Sequence, residues 1–200
     1  MLFQPTYFSP IIQFEKVVQV EKCIFEIHDN YQKQTYRTRL SIYTPQGRQD
    51  LIIPIKHKKG IKLMTKEIEI DNSYKWQRLH FKSLQNFYRS SPFFEFYEDD
   101  LAPLYEKQEK YLLDLLLKTQ ELSFEMLQLE FEIKKTTKYL VDYPINQDFR
   151  FLDNPKLSID QTFRKYIQVF DAKHGFIPNL SILDLIFNEG PNAVNILSLR

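Results

Sequence analysis

Two short β-prone runs flank a single helical repeat at the start of the chain, and this arrangement constrains the fold more than any other feature. Residues 2–4 (LFQ) and 23–27 (CIFEI) are the runs; between them Ile11, Phe14, Val17 and Val18 recur at the spacing of one helix face. Two strands joined by one helix lie parallel, because a parallel pair needs a crossover of about a dozen residues or more. Pro10 suits the first position of that helix, where its missing N–H costs nothing. A βαβ unit follows. It carries a functional corollary: in open α/β sheets ligands bind beyond the carboxyl ends of the strands. Here those ends lead into Gln4, Pro5, Thr6 and Tyr7, and into His28, Asp29, Asn30, Tyr31, Gln32 and Lys33. The two loops are expected side by side.

The rest of the chain adds a hairpin and then turns helical. LSIY (40–43) and LIIPI (51–55) flank a turn containing Pro45 and Gly47, and KEIEI (66–70) alternates as a half-buried strand does. Asn72 or Ser73 can cap a helix from Tyr74, with Trp76, His80, Leu84 and Tyr88 on one face, ending before Pro92. FFEFYEDDLAPLYEK reads as a short helix and a break. KQEKYLLDLLLKTQ is a buried helix, SFEMLQLEF a further helical piece, EIKKTTKYLV a late strand, and LSILDLIF (180–187) a helix stopped by NEGP. The expected fold is α/β: an N-terminal βαβ unit and mixed sheet with a β-hairpin, then a mostly helical half with a late strand. One domain spans 1–200. Its stretch 144–200, with Pro144, Pro155 and Pro178, reads as a C-terminal extension able to pack back on it.

Composition excludes several functions. Only four glycines are present, and neither GxGxxG nor GxxxxGK[ST] occurs. With 27 basic and 26 acidic residues the chain lacks the basic excess of a DNA-binding protein. No HExxH, CxxC or GxSxG appears, so neither metal nor cofactor is expected. Cys23 stands alone, within a predicted strand, and reads as core. The start lacks the pattern of a signal peptide, and no apolar stretch reaches membrane-spanning length. These features predict a cytoplasmic protein without a membrane span. The seventeen Phe and twelve Tyr imply a bulky core, an aromatic-lined pocket, or both.

The run HDNYQKQTYRTR (28–39) holds the densest set of candidate site residues. The His28 imidazole can take or give a proton near neutral pH. Lys33, Arg37 and Arg39 are separated by even numbers of residues and share one face of an extended segment. They would there suit a phosphate, pyrophosphate or carboxylate. Tyr31 and Tyr36 can stack on a ring. The plain alternative is a polar strand facing solvent. His80 is either a buried core histidine or a group that meets the two loops from across the sheet. Glu98, Asp99 and Asp100 read as a solvated helix end, and HKKGIK (57–62) as a surface turn.

Several motifs in order resemble the WbqC-like family across nearly the whole chain. LFQPTYFSPIIQFEK resembles that family's QPxYFPxxxYF opening, and HDNYQKQTYRTR its central YQK motif. Gly47 with LIIPI, Trp76xxxHis80 and SPFFEFY follow in order, and LSILDLIFNEGP resembles the tail of the Bacteroidetes branch. Residue by residue, Gln4, Pro5 and Tyr7 match the opening, Tyr31, Gln32, Lys33 and Arg39 the centre, and Trp76 and His80 the helix. Thr38 stands where the family has asparagine.

The resemblance implies a transferase-like protein of surface-polysaccharide (O-antigen) precursor biosynthesis, a glycine transferase having been suggested for one branch. The partner would be a small-molecule donor, a nucleotide-sugar or an activated acyl or aminoacyl group. His28 or His80 would act as general base; Lys33, Arg37 and Arg39 would hold a phosphate or carboxylate; Gln4 and Gln32 would orient the ligand. The alternative is a non-catalytic ligand-binding or assembly module of the same pathway.

Overall fold

In the computed structural model, which describes residues 1–20, 22–56, 60–130, 132–157 and 161–198, the βαβ unit forms at the predicted place. Strand β1 (Leu2–Phe3) pairs parallel with β2 (Ile24–Phe25), Leu2 opposite Ile24 and Phe3 opposite Phe25. Helix α1 (Ile11–Val17) is the crossover, and it buries Ile11, Ile12, Phe14 and Val17. Cys23 is fully buried just before β2, and burial pushes its thiol pKa up to about 12.

The hairpin is β3 (Arg39–Thr44) against β4 (Gly47–Ile52), with Thr44 opposite Gly47. Pro45 and Gln46 make the turn, and Gly47 takes the positive φ, +94°, that the turn requires. The pair stands as its own two-stranded sheet. KEIEI does not become a strand. The Glu67 carboxylate accepts from the Met64 backbone N–H at 2.8 Å and closes a 3-10 turn, Thr65–Glu67. Ile68 and Ile70 are still buried, but their segment makes only single bridges, Glu69 to Tyr111 and Ile70 to Ile55. Of the expected basic turn at 57–62, residues 57–59 lie outside the described residues, and 60–62 are exposed.

Helix α2 (Trp76–Tyr88) begins two residues later than expected. Asn72 Oδ1 accepts from the Trp76 indole and the Gln77 amide instead of capping the backbone. Its buried face is Trp76, His80, Leu84 and Tyr88, as the spacing predicts. Helix α3 (Phe94–Glu106) runs straight through Pro103, where a break is expected. Proline leaves the carbonyl four residues back without a donor. That residue is Asp99, which is exposed, so solvent can serve its carbonyl. Burial of Phe94, Tyr97, Leu101 and Tyr105 along one face then holds both halves in a single helix. The two expected helical pieces after it merge into α4 (Leu112–Met126). No helix among the described residues is long and apolar enough to cross a membrane.

The late strand is β5 (Lys134–Lys135), parallel to β2 on its other side, so the sheet order is β1-β2-β5. Beyond it the chain returns to the first strand: Leu2 N–H donates to the Gln147 carbonyl and Phe149 N–H to the Leu2 carbonyl, both at 2.8 Å. A 3-10 turn, Arg150–Asp153, follows. After the short α5 (Asp171–His174), helix α6 (Ile182–Glu189) forms the centre of the core. Ile182, Leu183, Leu185, Ile186 and Phe187 are all fully buried there. Ser181 caps it, its Oγ accepting from Leu183 N–H at 3.2 Å. Buried Asp184 accepts from the Tyr88 and Tyr166 hydroxyls and the Gln168 amide, tying the tail to α2. Gly190 ends α6 at φ +53°, and a Cβ there would lie 2.6 Å from the Phe93 ring. Gly190→Ala is therefore expected to lower stability by about 1–3 kcal/mol in urea unfolding. The last helix is α7 (Ala193–Ser198).

Candidate functional site

A cavity of about 600 Å³ opens at the carboxyl ends of the parallel strands. Gln4 enters its lining directly after β1, and His28, Asp29, Asn30 and Gln32 after β2. Tyr139 lies beyond β5, and Arg37, Arg150, Phe151, Asp153, Asn154 and Leu157 complete the wall. The strand-end prediction thus places the cavity, and the stretch after residue 144 supplies much of its wall.

Arg37 is the centre of the wall. Its side chain is 2% exposed, and NH1 lies 2.6 Å from Asp29 Oδ2 while NH2 and Nε are each 2.9 Å from Asp153 Oδ2. NH1 also donates to Thr65 Oγ1 at 2.7 Å, and the Thr65 hydroxyl donates to Asp29 Oδ1 at 2.8 Å. The backbone repeats these links: Thr65 N–H reaches the Asp29 carbonyl, and Tyr36 N–H the Asp153 carbonyl. Burial raises the Asp153 pKa; Arg37 opposes that rise and the Asp29 charge adds to it.

A second buried carboxylate, Glu26, organises the edge between β2 and β5. It is fully buried and accepts from His28 N–H at 2.9 Å, the Thr136 hydroxyl at 2.8 Å and Leu140 N–H at 3.1 Å. Arg150 stands 3.7 Å away and is held mainly by Asp148, 2.6 Å from its NH2. His28 Nε2 lies 3.1 Å from the Thr136 carbonyl. A carbonyl only accepts, so Nε2 carries the proton and Nδ1 offers its lone pair to Lys66 Nζ, 3.4 Å away.

Other predicted site residues are placed elsewhere. The segment 31–38 is a series of turns, not an extended strand, so Lys33, Arg37 and Arg39 do not share a face. Arg37 goes inward, Lys33 stays exposed, and Arg39 pairs with Asp50 at 3.3 Å on the hairpin. Tyr31 is half-buried against the core, with Thr38 as a hydrogen-bond partner of its hydroxyl, so Thr38 lies behind the lining.

Tyr7, Trp76 and His80 form a separate buried cluster outside the lining. Tyr7 OH lies 3.1 Å from His80 Nδ1 and 2.8 Å from Tyr105 OH, and Trp76 packs edge-on to His80. The other partner of the His80 ring is the Ile52 backbone, which takes the ring N–H and leaves Nδ1 to accept from Tyr7. Burial lowers the His80 pKa from 6.5 to about 4. The unfolded state therefore binds the extra proton first, and the stability that neutral His80 contributes above pH 6.5 disappears as pH falls towards 4. That loss is about 3 kcal/mol. Denaturant unfolding of His80→Gln near neutrality and at about pH 4 should show a correspondingly smaller acid loss than the native chain; equal losses would refute the assignment.

Asp29 lies in the second expected strand-end loop but has no role assigned from sequence, and Arg150 and Asp153 are not among the expected site residues. Asp153 lies 116 positions from Arg37, in a stretch without clear periodicity, and no local pattern marks it. Among the described residues no group of three or more His, Cys, Asp or Glu side chains is placed to hold a metal ion.

A model of the WbqC-like protein family matches residues 4–156 and 153–196. The chain belongs to the WbqC-like protein family. The match takes in both strand-end loops and the turn that carries Asp153, so the whole cavity wall lies within family sequence. A relative from Mycobacterium tuberculosis (strain ATCC 25618 / H37Rv), the uncharacterized protein Rv1507c, is 27% identical over 212 aligned positions, spanning 92% of this chain and 90% of the relative. No solved structure gives a significant match.

Proposed function

We propose that this WbqC-like chain is a cytoplasmic transferase of surface-polysaccharide (O-antigen) precursor biosynthesis. Its strand-end cavity would join a small-molecule acceptor to a phosphate- or carboxylate-bearing donor, a nucleotide-sugar or an activated acyl or aminoacyl group. The observation that carries this reading is Asp153. It is a carboxyl group in the cavity wall whose proton affinity is raised by burial and whose position is fixed by Arg37. A positioned base of raised pKa suits proton abstraction near neutral pH. The acceptor O–H or N–H gives its proton to Asp153. The acceptor atom forms a bond to the transferred carbon, and the leaving group departs with the electron pair of the broken bond.

The remaining lining fits a polar, ring-bearing ligand. Gln4, Asn30 and Gln32 offer hydrogen bonds, and Tyr139 and Phe151 offer ring faces. His28 orients the ligand at the end of β2. Tyr7, Trp76 and His80 act from behind the wall by fixing the loop that carries Gln4. Lys33 and Arg39 serve only the outer part of a large donor.

A non-catalytic binding module is the second reading, favoured by one observation: both lining guanidinium groups are engaged in internal ion pairs. Incubating the full chain with nucleotide-sugars, acyl-CoA and aminoacyl donors, each with candidate acceptors, separates the two by mass spectrometry. New product, absent with Asp153→Asn, supports the transferase. Thermal stabilisation by a ligand with no product from any pairing replaces it with the binding module.

A further inference from the structure

Gln4 Oε1 is the one buried side-chain polar atom among the described residues that has no hydrogen-bond partner. Gln4 is 4% exposed and belongs to the cavity lining. Its orientation is fixed. Nε2 donates to Asp29 Oδ2 at 3.2 Å, so flipping the amide would set its carbonyl oxygen against a carboxylate. The Gln4 backbone carbonyl is held as well, accepting from Gln13 Nε2 at 3.1 Å. The side-chain acceptor therefore needs a donor from outside the protein's own set.

The charge beside it has a matching requirement. Arg37 brings one positive charge between two carboxylates, Asp29 and Asp153, and leaves a surplus of one negative charge when both are ionised. Arg150, the other cation of the lining, cannot offset that surplus, because it already faces both Asp148 and Glu26. The Lys66 ammonium is directed at His28 Nδ1. An anion placed here would meet the surplus carboxylate charge. A neutral hydroxyl could satisfy Gln4 but not the charge. An ammonium group, with three donors and no acceptor, answers both.

Resting on the assignment of this cavity as the acceptor site, we propose that Gln4, Asp29 and Asp153 form a subsite for a primary ammonium group, and that the acceptor is an amine. Amino sugars and amino-acid amides both carry this group. In the transfer step the bound ammonium loses one proton to Asp153, the freed nitrogen lone pair bonds to the transferred carbon of the donor, and the leaving group departs with its bonding pair and takes up the second proton that the nitrogen sheds.

Calorimetric titration of the full chain tests the subsite directly. The ammonium probes are glucosamine and alaninamide, used below their amine pKa. Glucose and N-acetylglucosamine are the neutral counterparts, and inorganic phosphate is the anion. At least one ammonium probe should bind at least tenfold more tightly than the neutral sugars and phosphate. Binding of glucosamine alone marks an amino sugar, of alaninamide alone an amino-acid amine, and of both the ammonium group itself.

Gln4→Met, which removes the acceptor at similar volume, should weaken that binding at least tenfold. So should Asp153→Asn, which removes the surplus charge yet keeps an oxygen for Arg37, and it serves as the working variant should Gln4→Met not fold. Equal binding of the neutral sugars, preferential binding of phosphate, undiminished binding by Asp153→Asn, or binding by no probe would each overturn the ammonium subsite. None of these results removes the transferase reading, which falls only if no donor–acceptor pairing gives product.

Discussion

Replacing Arg37 with methionine should remove about 3–5 kcal/mol of stability, the cost of leaving buried charge without its partner. Two carboxylates, Asp29 and Asp153, would lose the same guanidinium, and Thr65 Oγ1 would lose a donor. The loss is structural as well as electrostatic. Arg37 joins the loop after β2, the 3-10 turn at Thr65–Glu67 and the 3-10 turn at Arg150–Asp153. Urea unfolding measures the effect. Adding Asp29→Asn and Asp153→Asn to the same chain should recover much of the stability, because uncompensated charge is the main cost. The sign of the pH dependence is fixed too. Without Arg37 the Asp153 pKa rises further, so Arg37→Met should lose least, relative to the native chain, at acid pH. A loss below about 1 kcal/mol would place this triad among solvated surface pairs and contradict its burial.

Asp153→Asn should lower turnover by about 10²–10⁴-fold, the usual contribution of a positioned general base, while the melting temperature changes little. The asparagine oxygen can still accept from Arg37, and the group removed is one whose ionised form burial already disfavours. The base works only when ionised. In the native chain kcat/KM should therefore rise with pH through an apparent pKa above the ordinary aspartate value of 3.8, and Asp153→Asn should lack that limb. Comparable turnover by the two chains would move the proton transfer away from Asp153. His28 is then the next group on the wall to test.

The residue sequence reaches further into the site than into its chemistry. Apolar spacing before and after α1 is enough to specify β1, the crossover and β2, because each depends on neighbours within a few residues. Parallel pairing then places the two carboxyl ends at one edge, which is why Gln4 and the loop from His28 meet without any long-range information being read. The helical face Trp76, His80, Leu84 and Tyr88 is legible on the same grounds. The helix break expected at Pro103 is not found, because a buried face spanning both halves outweighs one missing hydrogen bond.

The polar run 28–39 is rich in cations, and an extended segment would set Lys33, Arg37 and Arg39 on one face. Tertiary structure separated them. Two carboxylates drew Arg37 inward, Asp50 took Arg39 on the hairpin, and Lys33 remained in solvent. Whether a charge is buried depends on where its partner lies, and the partner here is Asp153, 116 residues away. Its approach is set by backbone bonds between β1 and residues 147–149, which have no local signature. Local periodicity thus determined where the cavity would open, because strand and helix patterns are short-range. The acid pair, its guanidinium and the unpartnered Gln4 oxygen were decided only by the fold, because ion pairing and desolvation are properties of groups brought together across the chain.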